Sequence, residues 1–99
     1  MEPKLQRRIQ RYGWDKAVDY YEQHWKRQLE PAQTRLLAMA DLQLGERILD
    51  VACGTGLVTF PAAIQVGPKG TVVATDISAR MVQSTRERAG QQGLHHVQG

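Results

Sequence analysis

Apolar positions in the first third of the chain recur three or four residues apart. Leu5, Ile9 and Tyr12 fall on one stripe with Lys4, Arg7, Arg8 and Arg11 between them, the spacing of a helix face. Gly13 interrupts that pattern. Beyond it Trp14, Val18, Tyr21, Trp25 and Leu29 form a second stripe, with Asp15, Asp19, Glu22 and Lys26 outside it. Pro31 suits the first turn of a third helix, where its missing N–H has no intrahelical acceptor to lose. Leu36, Leu37 and Ala40 give that helix its apolar face, and it ends before Leu44-Gly45. The pattern thus predicts a helical segment over residues 1–42, broken into three pieces.

From residue 43 the period changes. Ile48, Leu49 and Val51 make a short apolar run bounded by Gly45 and by Gly54 and Gly56, which reads as a buried strand. Residues 57–66 are apolar on most sides and helical in length, and Pro61 lies close enough to the start to be tolerated. Gly67-Pro68-Lys69-Gly70 is a turn, and Thr71 to Thr75 a second strand around Val72 and Val73. Ser78 is an N-cap for a helix from Ala79 to about Gln91, with Gly93 ending it. Leu94 to Val97 begin a third strand. Strands joined by crossovers of this length are parallel. The expected fold is α/β: an open, Rossmann-like parallel sheet over residues 43–99, preceded by N-terminal helices.

Composition changes this picture little. The chain has 99 residues, 41% hydrophobic and 23% charged, the make-up of one small folded domain. Its net charge of +3 and pI near 9.4 are mildly basic. Aromatics are 6% and do not interleave with basic residues, so a nucleic-acid partner is not expected. The basic cluster at residues 4–11 reads as a solvated helix face. A single cysteine excludes an internal disulfide and suits a reducing compartment. Met1 to Arg11 lacks the apolar core of a signal peptide, and no apolar run is long enough for a membrane span. The expected location is cytoplasmic.

The chemistry concentrates after the first strand, in Asp50-Val51-Ala52-Cys53-Gly54-Thr55-Gly56. In a parallel α/β sheet the ligand lies outside the carboxyl ends of the strands. Gly54 and Gly56 allow close backbone approach there, since no Cβ intervenes. Asp76 ends the second strand, 22 residues past Gly54. An acid about 20 residues beyond such a loop is placed to accept hydrogen bonds from a ribose diol. Asp50 selects among nucleotides by charge. A carboxylate beside the loop would repel the pyrophosphate of NAD but attract the ammonium and sulfonium of S-adenosylmethionine. Thr59, where the dinucleotide fingerprint needs Gly or Ala, also disfavours NAD.

Residues 48–56 resemble motif I of class I S-adenosylmethionine-dependent methyltransferases, and Val73 to Ser78 with Arg80-Met81 resembles the segment that follows it in that family. The similarity is nearest to the ubiquinone- and menaquinone-biosynthesis group and covers residues 43–99. The resemblance implies that Asp50 faces the methionine amino group, directly or through water. It implies that Ala52, Cys53, Gly54, Thr55 and Gly56 offer the cofactor their backbone, that Asp76 holds the ribose, and that Ile77 and Met81 flank the adenine. Ala52 stands where many members have a glycine. Trp14 to Leu37 resembles that group's helical lid, which makes residues 1–42 a lid segment, and an aromatic there such as Tyr21 or Trp25 can shield the sulfonium; core packing is the competing reading for both.

A small-molecule methyl acceptor is implied, and no catalytic residue is named. Cys53 has no histidine near it in sequence and reads as a packed small residue. His95 and His96 are adjacent and point to opposite faces, so no metal site is expected; His24 reads as a surface residue. The residues present build at most three strands of a larger family sheet and leave a strand edge open. Self-association or a second chain is therefore expected, and a compact, cooperatively folding monomer in size-exclusion chromatography would contradict it. A non-catalytic binding module derived from a methyltransferase is the alternative from a different class, and an NAD-dependent oxidoreductase fragment a third.

Overall fold

The computed structural model describes residues 2–99, apart from the side chains of residues 21–24. Its elements follow in the order α1 (Pro3–Ala40), β1 (Arg47–Val51), α2 (Thr59–Val66), β2 (Thr71–Thr75), α3 (Ala79–Gln91) and β3 (Val97–Gln98). The three strands form one parallel sheet in the order β1-β2-β3. Ile48 pairs with Val72 and Leu49 with Val73, while Val72 also pairs with Val97.

The expected break of the N-terminal segment into three helices does not occur. α1 runs unbroken through 38 residues, with Pro31 inside it. Gly13 keeps an ordinary negative φ, so it weakens the helix by only about 1 kcal/mol relative to alanine. Pro31 withdraws one N–H from the ladder, and Glu30 before it is not a residue that caps a helix N-terminus well, so nothing there favours a new start. The helix stops at Asp41, which takes a left-handed conformation at φ 48° and donates its N–H to the Leu37 carbonyl.

Alternation along β1 and β2 gives the sheet two unlike faces. Val72 and Ala74 are buried, and with Ile48 they face the helices. The core there is Ala62, Ala63, Val66 and Val72, extended by Leu37, Leu42, Ile48, Leu94 and Val97. On the opposite face Leu49 and Val51 are 64% and 71% exposed. The sheet and its helices meet tightly at Gly70, where a Cβ would lie 2.7 Å from the Glu46 carbonyl oxygen.

α3 begins as its sequence requires. The Ser78 hydroxyl accepts from the Met81 N–H at 3.2 Å, satisfying one of the helix's free donors. α2 begins later than its apolar run suggests, because residues 52–58 are occupied by the turn out of β1. The third strand is shorter than expected, since Leu94 is drawn into a turn that takes the Val97 N–H.

Candidate functional site

β1 and β2 end side by side, and the chain leaving β1 crosses above β2. The Cys53 N–H donates to the Thr75 carbonyl at 2.8 Å, extending the ladder one step past the strands. The loop then turns through left-handed conformations at Ala52 (φ 58°), Gly54 (φ 59°) and Gly56 (φ 98°). Two of these are glycine, for which the conformation is unstrained. Ala52 pays a steric penalty of roughly 1 kcal/mol.

Asp76 fixes the loop to the sheet. One carboxylate oxygen accepts from the Gly54 N–H at 2.9 Å and the other from the Ser78 N–H, also at 2.9 Å. The residue therefore ties the glycine loop to the start of α3. On the far side of the loop, the Thr85 hydroxyl donates to the Gly54 carbonyl at 2.8 Å.

These residues bound an open pocket of about 530 Å³ at the carboxyl ends of the strands. Ala52, Gly54, Asp76, Ile77 and Met81 line it, joined by Trp14 from α1. Its size lies within the roughly 300–1,000 Å³ of small-molecule and cofactor sites. Ile77 is 43% exposed and Met81 is buried, so the pocket offers two apolar walls beside the carboxylate. A second groove, of about 620 Å³, lies among the three helices and touches the loop only at its rear, beside Gly56.

The remaining expected site residues lie behind the pocket wall. Cys53 and Thr55 are buried and line neither cavity. The Cys53 sulfur lies 3.8 Å from the Thr85 hydroxyl, and burial pushes its thiol up to about 11. It is a protonated packing group near neutral pH, as its sequence context suggests. Asp50 faces α2, where it accepts the Thr59 hydroxyl proton at 2.6 Å. Its carboxylate is not part of the pocket lining.

Burial pushes Asp50 above the usual carboxylate range; Thr59 opposes this and the nearby Asp76 charge adds to it. The folded chain thus holds this proton more tightly than the unfolded chain does. The resulting stability is present below the unfolded value of 3.8 and is lost as pH rises through the higher folded value. Asp50→Asn, which keeps an acceptor for Thr59, is accordingly expected to melt above wild type near neutral pH. Thermal melts as a function of pH check this, and the gap should close as the medium is acidified toward pH 4.

Three participants were not evident from the sequence. Thr59 stood out only as a mismatch to a dinucleotide fingerprint, yet it holds Asp50. Thr85 carries no motif. Trp14 lines the pocket, whereas Trp25 is 52% exposed and lines neither the pocket nor the core. The packing reading for Trp25 therefore does not hold, and the Tyr21 and His24 side chains lie outside the described residues. His95 is exposed, and His96 places a ring nitrogen 2.8 Å from the Ala63 carbonyl.

An open pocket over the carboxyl ends of parallel strands, bordered by a glycine loop and by an acid just past β2, is the arrangement of the Rossmann-like class. Residues 42–98 match the family model of a methyltransferase domain. Over 84 residues the chain is 42% identical to nocamycin O-methyltransferase from Saccharothrix syringae, covering 85% of this chain and 30% of that protein. It is 43% identical over 61 residues to demethylmenaquinone methyltransferase from Symbiobacterium thermophilum, covering 62% of this chain and 24% of the relative. Among solved structures, a SAM-dependent methyltransferase from Aquifex aeolicus superposes with a TM-score of 0.60 at 32% identity, over 67% of this chain and 35% of the other.

The chain belongs to the methyltransferase domain family. It spans less than a third of the length of these two curated relatives.

Proposed function

We propose that the chain is the cofactor-binding portion of a methyltransferase that acts on a small molecule. The observation that carries this reading is the bidentate Asp76, which joins the Gly54 N–H to the start of α3 at the mouth of the pocket. The electrophilic methyl group is what bound S-adenosylmethionine supplies. The chain's own share is binding, orientation and exclusion of water.

In this reading each Asp76 oxygen keeps acceptor capacity for a ribose hydroxyl while holding its backbone donor. Ile77 and Met81 flank the adenine. The backbones of Ala52 and Gly54 meet the methionine moiety, and Cys53, Thr55 and Gly56 set the shape of the loop from behind. Asp50 acts on the amino group through water, since its carboxylate is turned toward Thr59. Its anionic form is favoured by a nearby cation and disfavoured by a pyrophosphate, which separates this cofactor from NAD.

Residues 1–42 serve as a lid and residues 43–99 as the cofactor domain. A small-molecule acceptor is supported by the two relatives described above, one named for nocamycin and the other for demethylmenaquinone. The open sheet face at Leu49 and Val51 supports association with a second chain or a second copy. No described helix is long and apolar enough to cross a membrane. That, with the single free thiol, supports a cytoplasmic location. Calorimetric titration with S-adenosylhomocysteine and with NAD tests the cofactor assignment.

A further inference from the structure

Three features of the molecule lie outside the cofactor assignment: the groove among the helices, the basic stripe on the first turns of α1, and the attachment of α1 to the pocket. The groove mixes charged, polar and apolar walls without converging groups. The stripe of Lys4, Arg7, Arg8 and Arg11 is one solvated helix face. The attachment of α1 is specific.

α1 meets the cofactor domain at the N-terminus of α3, across 63 positions of sequence. The Ser78 hydroxyl donates to the Asp15 carboxylate while accepting from the Met81 N–H. The Arg80 guanidinium donates to the Asp15 backbone carbonyl at 2.8 Å and lies 3.7 Å from the Asp19 carboxylate. That last pair is well exposed and contributes little by itself. Of the two bonds to Asp15, the one from Ser78 is half-buried and ends on a carboxylate, the one from Arg80 is exposed, and both converge on one residue of α1.

The neighbour of that residue is Trp14, 41% exposed and lining the pocket with Asp76, Ile77 and Met81. Without α1, the pocket has walls from the ends of β1 and β2, the loops that follow them and α3 only. The clasp therefore has a consequence for ligand binding. We infer that Asp15 and Arg80 are positioning residues that hold α1 against α3 so that Trp14 forms the remaining wall of the cofactor pocket. Trp14 is a binding residue, presenting an aromatic face to the nucleoside. Ser78 is the junction, because its N–H is held by Asp76 and its hydroxyl by Asp15. The Gly54 loop, Asp76, Ser78 and Asp15 form one continuous chain of hydrogen bonds from pocket to lid. This inference rests on the cofactor reading above.

The chain has two tryptophans, so Trp25→Phe leaves Trp14 as a single fluorescent reporter at a site remote from the replaced ring. In that background, S-adenosylhomocysteine is expected to shift Trp14 emission on binding. Trp14→Ala, followed by calorimetry, should raise the dissociation constant about tenfold, the scale of one base–aromatic stack. Trp14→Phe should restore most of the affinity, which a purely structural role for the helix would not require.

Asp15→Ala should weaken binding and abolish the emission shift, with circular dichroism reporting that α1 remains helical. Asp15→Ala added to Trp14→Ala should cost no further affinity, because both changes remove the same wall. Wild-type binding with unchanged affinity in Trp14→Ala and Asp15→Ala would overturn the inference alone. Absence of binding by the wild-type chain would overturn the cofactor reading and this inference with it.

Discussion

Asp76→Ala is expected to reduce the affinity for S-adenosylhomocysteine roughly 100-fold and to lower the melting temperature as well. The carboxylate carries two backbone hydrogen bonds, to Gly54 and Ser78. A hydrogen bond to a charged group contributes about 1.5–3 kcal/mol. Its removal releases the loop on one side and the start of α3 on the other, before any ribose contact is counted. A factor of 100 corresponds to about 2.7 kcal/mol, within reach of one lost charged contact to the ligand and partial loss of loop order. Asp76→Asn keeps one carbonyl acceptor and should fall between wild type and alanine in both measurements. Calorimetry and thermal melts on the three proteins test this. Equal affinity in all three would remove Asp76 from the cofactor site and leave it as a structural tie.

Gly56→Val is the substitution expected to cost most in stability. Gly56 sits at φ 98°, where a β-branched residue is a genuine outlier, and a Cβ there would lie 2.6 Å from the Phe60 ring. Strain and overpacking together cost about 3 kcal/mol. The two components separate experimentally. Gly45 has φ 86° with no atom within 4 Å of its would-be Cβ, so Gly45→Ala reports backbone strain alone. Gly56→Ala with Phe60→Leu relieves the contact and keeps the strain. Urea denaturation should therefore rank Gly56→Val as the least stable of the three, and Gly45→Ala as the mildest change. A Gly56→Val protein as stable as wild type would mean that the loop does not take this conformation.

Residues 43–99 were readable because their signals are local. The β2 strand, the Ser78 cap and the α3 helix follow from residues next to one another, and each lies where alternation, capping and period place it. The Asp76 position followed from its distance to the glycine loop. What was not readable depends on contacts distant in sequence or on the balance of small energies. Gly13 and Pro31 look like helix punctuation, yet α1 carries both in its interior, because each is a local weakness of a few kcal/mol at most, about 1 for Gly and about 3 for Pro, in a 38-residue helix. Asp50 carries the right charge, yet its direction is set by Thr59 from the next helix. Trp14 and Trp25 share one stripe in the sequence. Only the docking of Asp15 on Ser78 and Arg80 shows which of them reaches the pocket. The open face of β1 and β2 likewise reads as buried strand in the sequence, because apolar residues report a need for cover and not its presence.

The pocket beside Asp76 is proposed to take a phosphate-free nucleoside cofactor. The most direct test of this is titration of the wild-type chain, in parallel, with S-adenosylhomocysteine and with NAD in a calorimeter. Saturable heat at one site for the first, silence for the second, and a weakened isotherm in Asp76→Ala are the predicted results. Selective uptake of NAD, or heat from S-adenosylhomocysteine that the Asp76 substitution leaves untouched, would contradict it.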